Sequence, residues 1–338
     1  MKKFTLLFAA LLLTAPVVSL ADSVAGCASE GDNWWSEERA IMGTEVRVEL
    51  WHIQQAEACA AIEDVMLELE RIEQAMSPFL PTSLLTQLNE NAARRPVTVG
   101  EELYNLIARS VEFSAMTDGA FDVTYASAGR FYDYRKKVSP DADALAQVID
   151  AIDYKHLEFN SRKYSIRYLN ENVYVDLGGI AKGYAVDRGI EVLISKGFTQ
   201  AVVAAGGDSR ILGDRQGEPW IVGIRDPRKE DTMVAVLPLV DISVSTSGDY
   251  ERYFERDGVR YHHIIDPDTG DSARDVRSVT ILGDQAVMTD ALSTSVFVLG
   301  TMRGLELINR MKDVDAIVVD GNGVMHVSNS LLEMVATK

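Results

Sequence analysis

The stretch VDLGGIAKGYAVDR, residues 175–188, sets the frame for the rest of the chain. A β-type run ends at Tyr174 and Val175, and a carboxylate follows at Asp176. Then come the pair Gly178 and Gly179, then Lys182 and Gly183, where the apolar spacing turns helical. Strand, glycine turn, lysine and helix N-terminus together make a device for holding phosphates. Glycine lets the backbone approach an anion, free helix N–H groups point at it, and a cation adds charge. The motifs GxxxxGK[ST] and GxGxxG are absent, so neither a P-loop nor a dinucleotide fingerprint is indicated. The alternative is a plain glycine turn that packs a helix onto a sheet.

Working outward, Met42–Trp51 alternates Val46, Val48 and Leu50 against Glu45, Arg47 and Glu49, the period of a half-buried strand. Residues 56–76 put Ile62, Val65, Met66, Leu69, Ile72 and Met76 on one helical face. Residues 77–89 are turn-rich, with Pro78 and Pro81. A helix over 101–116 ends at Gly119. An aromatic-rich segment covers 120–135, 141–152 read as helix, and 163–175 read as a hairpin leading into the glycine turn. Beyond it, a helix over 182–195 stops at Gly197. Strands are expected near 201–205, 220–224, 234–239, 242–246 and 278–282, helices from about 286 and near 302–312, and two short strands at the end. This order predicts an α+β fold with mixed, largely antiparallel sheets and packed helices.

Lys2 and Lys3 precede an apolar run, Phe4–Leu20, and Ser19-Leu20-Ala21 suits a signal peptidase, so residues 1–21 read as a signal peptide. The alternative is a lipoprotein box, Val24–Cys27, with the signal running to 26 and a lipid on Cys27 anchoring the protein to the inner membrane. Residues 22–36 read as a tether and 37–338 as one large domain or two interlocked ones. The two cysteines, Cys27 and Cys59, can form one disulfide in an oxidising compartment. With 47% apolar residues, the core and not a cystine framework must hold the fold. The formal net charge is −18, and loss of residues 1–21 removes two lysines and no acid, giving −20. That balance argues against nucleic acid as a partner. Any polyanionic ligand then needs a metal or a few placed basic residues.

Asp290 and Thr294 lie four apart on a predicted helix, with Ser293 beside them, an all-oxygen set suited to Mg²⁺; the alternative is a helix N-terminal cap or a solvated face. His263, next to Ile-Ile-Asp-Pro, is a candidate general base, with Asp266 to orient the ring. Asp208 and Asp249 follow glycines in GGD and SGD, weak signals singly. HExxH and GxSxG are absent, which indicates neither a zinc protease nor a serine hydrolase.

Eight segments in order carry a resemblance: IMGTEV (41–46), SPFLPTSLLTQLN (77–89), GAFDVT (119–124), VDLGGIAKGYAVD (175–187), AAGGDSR (204–210), STSGDYERYF (245–254), HIIDPDTG (263–270) and MTDALSTSVFVLG (288–300). Together they resemble the ApbE-type FAD:protein FMN transferases. The resemblance implies a periplasmic enzyme that uses Mg²⁺ and FAD to place FMN, by a phosphoester, on a serine or threonine of a partner. That partner is typically a membrane-bound redox-pump subunit, and AMP is released. It further implies that Asp176 and Lys182 lie at the flavin-nucleotide site. The Gly179 carbonyl, Asp290 and Thr294 would be metal ligands, with Ser293 close by. Met42, Ala120, Phe121 and Asp122 match FAD contacts, and so do His263 and Ile264. Phe79 stands where the family often has tyrosine, keeping a stacking face, and Leu84 replaces a common glutamate. His263, or Asp266 through it, is the candidate to take the acceptor's proton. A monomer or weak dimer is expected. Two other functions share the site: an FAD pyrophosphatase giving FMN and AMP, and a non-catalytic FAD carrier.

Overall fold

A computed structural model describes residues 27–229 and 232–336. The signal-sequence reading of residues 1–21, its alternative end at 26 and the first part of the tether lie outside the described residues.

The chain opens with strands β1 (Ala28–Gly31), β2 (Trp34–Ile41) and β3 (Thr44–Trp51), then helices α1 (Gln55–Met76) and α2 (Leu84–Asn91). Strand β4 (Val97–Thr98) precedes α3 (Glu101–Met116), α4 (Ala126–Gly129) and α5 (Ala142–Val148). Strands β5 (Leu157–Asn160) and β6 (Ser165–Tyr168) lead to α6 (Ala181–Ser195). Seven strands follow: β7 (Ala201–Ala205), β8 (Asp208–Leu212), β9 (Trp220–Arg225), β10 (Met233–Leu239), β11 (Ser243–Gly248), β12 (Tyr253–Arg256) and β13 (Val259–His262). The chain closes with β14 (Val276–Gly283), α7 (Ala286–Ile308), β15 (Asp315–Asp320), β16 (Met325–Val327) and α8 (Asn329–Ala336).

Nine strands form one sheet in the order β1-β2-β3-β7-β8-β11-β14-β15-β16. Every pairing in it is antiparallel. Two ribbons, β9–β10 and β12–β13, and a small sheet β4-β6-β5 stand apart from it. This is the expected α+β architecture. The alternation in β3 buries Val46, Val48 and Leu50 completely, and α1 lays Ile62, Val65, Met66, Leu69 and Ile72 over the same core. A second core packs Leu292, Val296 and Phe297 of α7 on Val279 and Ile281 of β14. Helix α7 is long and apolar enough to cross a membrane, but half of its apolar stretch is buried inside this fold.

Several boundaries differ from the sequence reading. From Cys27 on, the expected tether is sheet: β1 and β2 form its edge, with Trp34 buried edge-on against Trp220 at 5.1 Å. Cys27 is bonded to Cys59 of α1, which ties that edge to the helix layer and leaves Cys27 no free thiol. The hairpin expected over 163–175 is instead β5–β6, and Tyr174–Val175 is not a strand. That run is extended, but side chains take the place of a strand partner. Asn89 bonds both the N–H and the carbonyl of Val175 at 2.9 Å, and Ser127 Oγ accepts from Tyr174 N at 3.0 Å. Helix α2 arises inside the turn-rich segment, capped by Ser83 accepting from Thr86 N. The two helices expected after 286 are parts of α7, which breaks at Gly300 (φ 75°), and α8 was not foreseen.

Candidate functional site

Helices α6 and α7 meet at their N-termini, and glycine permits it. A Cβ on Gly183 would lie 2.2 Å from the Ala286 carbonyl oxygen, far inside contact distance. The first turn of α7 has no cap of its own, since the Gln285 side chain makes none. Asp187 of α6 supplies it, accepting from Ala286 N at 3.0 Å and Val287 N at 2.9 Å, while Arg210 pairs with the same carboxylate at 2.8 Å. A carboxylate at a helix N-terminus satisfies free N–H groups and complements the dipole. Asp187 of the opening stretch is thus the clasp between the two helices.

Beside this junction lies an open cleft of about 1250 Å³, its mouth included. Its floor is the turns at one end of the sheet: Met42 and Gly43 between β2 and β3, Gly206 and Gly207 between β7 and β8, and Thr246–Gly248 at the end of β11. Met42 sits at φ 55°, in the left-handed region, as a two-residue turn between antiparallel strands requires. One wall is the loop 176–180. A Cβ on Gly179 would stand 3.1 Å from Thr294 Oγ1 and 3.2 Å from Phe121, so glycine lets this loop lie against α7 without crowding those side chains. Asp176 accepts from Gly178 N at 2.6 Å and from the Tyr125 hydroxyl. Burial nevertheless raises its pKa.

The charges at the back of the cleft are coupled. Lys182 Nζ lies 2.6 Å from Asp208 and 3.4 Å from Asp290. Burial disfavours its ammonium, but the two aspartates hold its pKa well above the usual lysine value. Asp290 is 2% exposed and also accepts from Gly183 N at 2.9 Å. Burial first, then Asp208, push its carboxyl up to about 7 against the pull of Lys182. Two buried carboxylates thus share one ammonium, which leaves the pocket short of positive charge. The Asp290 carboxylate, the Thr294 hydroxyl and the Gly179 backbone are oxygen donors of the kind a hard cation takes. Among the described residues no three His, Cys, Asp or Glu side chains cluster as metal ligands, so backbone and hydroxyl oxygens would have to complete a site. Ser293 stands one step back, bonded to Ser247 Oγ at 2.8 Å, and it is Ser247 that lines the cleft.

Opposite, His263 and Ile264 enter from the end of β13. Burial, then the nearby Arg252, His262 and Lys182, push the His263 imidazole down to about 3, so it is neutral at pH 7. Its Nδ1 is buried without a partner. The expected pairing with Asp266 is not made. Asp266 Oδ1 instead accepts from Asp268 N at 2.9 Å, closing the turn, and the residue does not line the cleft. A carboxylate followed by Pro and Asp is drawn into its own turn before it can reach the preceding ring. His262 is structural, with Nε2 2.6 Å from the Ala273 carbonyl and Nδ1 accepting from Ile264 N.

Ala120, Phe121 and Asp122 line the cleft. The Asp122 carboxylate is occupied by Thr124 N and Oγ1 and by Tyr154 N, and burial raises its pKa. Phe79 does not line the cleft; it is 82% exposed on the turn before α2. Sequence reasoning passed over Tyr125, Asp208 and Arg252 as site residues. Only Asp208 had a signal, the GGD at the end of a buried strand.

Comparisons with known proteins give the family. The ApbE family model matches residues 42–318, which spans every cleft residue named above. An FAD:protein FMN transferase of Treponema pallidum is 33% identical over 320 residues, 89% of this chain and 88% of its own. The Escherichia coli K12 protein of the same name is 30% identical over 283 residues, 81% of this chain and 80% of its own. Among solved structures, the ApbE protein of Thermotoga maritima superimposes with a TM-score of 0.82 at 33% identity, covering 89% of this chain and 98% of its own. The flavin transferase ApbE of Vibrio cholerae gives 0.80 at 26% identity, covering 89% and 98%. The chain belongs to the ApbE family.

Proposed function

We propose that this protein is a Mg²⁺-dependent FAD:protein FMN transferase, which joins FMN through a phosphoester to a serine or threonine of an acceptor protein and releases AMP. The observation that carries the reading is the convergence, from two distant segments, of the Gly179 backbone and Lys182 with the Asp290–Thr294 pair on one cleft. When bound there, Mg²⁺ would neutralise diphosphate charge and withdraw electrons from phosphorus. Asp290, Thr294 and the Gly179 carbonyl would hold it, and the shortage of positive charge around Asp290 and Asp208 favours it. The floor of turns around Met42 and Gly207 would receive the nucleotide.

In the reaction the acceptor hydroxyl oxygen attacks the phosphorus on the riboflavin side of FAD. The new P–O bond forms as the bond to the bridging oxygen breaks, and AMP leaves with that oxygen. His263, neutral at pH 7 and with its Nδ1 unpartnered, takes the hydroxyl proton directly and not through Asp266. Its low pKa in the free cleft rises when an anionic diphosphate is placed beside it. The residues orient and polarise, as phosphoryl transfer generally requires. The signal-like residues 1–21 and the Cys27–Cys59 bridge support a periplasmic setting, and the acceptor is then a membrane-bound redox-pump subunit.

The test is to incubate the protein with FAD, Mg²⁺ and a threonine-bearing acceptor peptide and to weigh the peptide. The expected result is a gain of one FMN less water, with AMP in equal amount. Free FMN with an unmodified peptide would point to a pyrophosphatase, and bound FAD with no AMP at any Mg²⁺ concentration would point to a carrier.

A further inference from the structure

Two side chains that line the cleft carry full positive charge at neutral pH, Lys182 and Arg252. Lys182 is already committed, 2.6 Å from Asp208 and 3.4 Å from Asp290. Arg252 is not. Among the described residues its guanidinium makes no ion pair and no hydrogen bond. Three other arginines of this part of the chain are engaged: Arg228 with Asp249 at 2.5 Å, Arg260 with Glu255 at 2.8 Å and Arg274 with Asp271 at 2.6 Å.

The backbone explains why Arg252 faces the cleft. The β12–β13 ladder pairs Tyr253 with His262, and the His263 N–H donates to the Arg252 carbonyl at 3.2 Å, extending the pairing by one step. Residues opposed across an antiparallel pair put their side chains on the same face. Arg252 and His263 therefore enter the cleft together, from the base of one ribbon. Tyr125, Asp176 and His263 line the same cleft as Arg252, and each feels its positive charge. A free guanidinium in an acidic protein, at a cleft whose lysine is tied down, is a site for a phosphate or carboxylate.

We propose that Arg252 is the phosphate-binding cation of the cleft, donating N–H groups to the phosphate oxygens of the flavin nucleotide, while Lys182 serves as the counter-ion of Asp208 and Asp290. This assignment rests on the flavin-nucleotide reading of the site. It selects for phosphorylated flavins and leaves the isoalloxazine ring to the apolar lining.

The experiment titrates wild type, Arg252→Gln and Arg252→Lys with FAD, FMN and riboflavin by flavin fluorescence, once in EDTA and once in Mg²⁺. Because the Arg252 guanidinium has no partner among the described residues, the variants should melt with the wild type. Arg252→Gln is expected to weaken FAD and FMN by about 10–100-fold, the range of hydrogen bonds to a charged group, with riboflavin changed by less than about 2-fold. Arg252→Lys should recover part of the loss. Unchanged FAD affinity, or an equal loss for all three flavins, overturns the proposal. Unchanged flavin binding with poorer use of the acceptor also overturns it, and would assign Arg252 to an acceptor carboxylate. Wild type that binds FAD but never modifies the acceptor overturns the transferase reading alone and leaves the Arg252 result standing.

Discussion

On the helix side of the cleft the polar groups hold one another. Asp187 caps α7 and pairs with Arg210, Asp290 takes a bond from Gly183, and Lys182 bridges two aspartates. On the ribbon side they do not. Among the described residues the buried His263 Nδ1 has no partner, and the exposed Arg252 guanidinium makes no ion pair and no hydrogen bond. The helix wall is a preorganised frame whose geometry follows from packing. The ribbon wall keeps its bonding capacity for a ligand. A buried group without a partner raises the free energy of the empty protein, and such groups persist where a ligand supplies what is missing.

Three changes would break or sharpen that contrast. Asp290→Ala removes a carboxylate from the frame and is expected to lower metal-dependent turnover by about 10²–10³-fold. Activity that survives at ordinary Mg²⁺ concentrations would show that the helix wall holds no metal. Gly183→Ala tests packing alone. With the Ala286 oxygen 2.2 Å from the new methyl, α6 and α7 must separate, a destabilisation of about 3 kcal/mol. It should appear as a lower Tm together with lower activity, and an unchanged melt would mean that the junction is looser than described.

The smallest effect belongs to the ribbon. The His263 imidazole has a folded pKa of about 3, below its unfolded value near 6.5, so the folded state binds fewer protons. Its contribution is therefore complete above about pH 6.5 and is lost as the pH falls toward 3. Between pH 7 and pH 5, wild type should lose about 1–2 kcal/mol more stability than His263→Gln. Parallel pH profiles of Tm in the two proteins would mean that the ring is solvated in the folded state.

Much of the frame could be read from the chain. The alternation of β3, the apolar face of α1 and the limits of α3 and α6 are local patterns, and local patterns survive folding. The edge strands β1 and β2 were missed because β1 is exposed throughout and β2 is anchored by Trp34 against Trp220, a contact with no local mark. Tyr174–Val175 looked like a strand because it is extended. What it lacks is a strand partner, and Asn89 acting in place of one leaves no period in the sequence. At the site, Asp290 and Thr294 share a helix face and could be paired by spacing. The bond between Lys182 and Asp208 joins a helix start to a hairpin turn, and Arg252 is marked only by what it does not touch. Asp266 shows the opposite error, since its place beside His263 in the sequence does not bring its side chain to the ring.

The pairing of β3 with β7 has a consequence for how the protein is made. Val46 meets Ala205, so residues 52–200 must be synthesised and set aside before the centre of the large sheet can close. The turns at Met42 and Gly207 come together only with that closure, and Asp290 reaches Lys182 later still along the chain. Long-range pairings of this kind are slow to form. Flavin-binding capacity is thus among the last properties the chain acquires. A ligand that recognises only the finished arrangement stabilises it by mass action. FAD present during folding would then act as a gauge of completion, drawing late intermediates toward the native sheet.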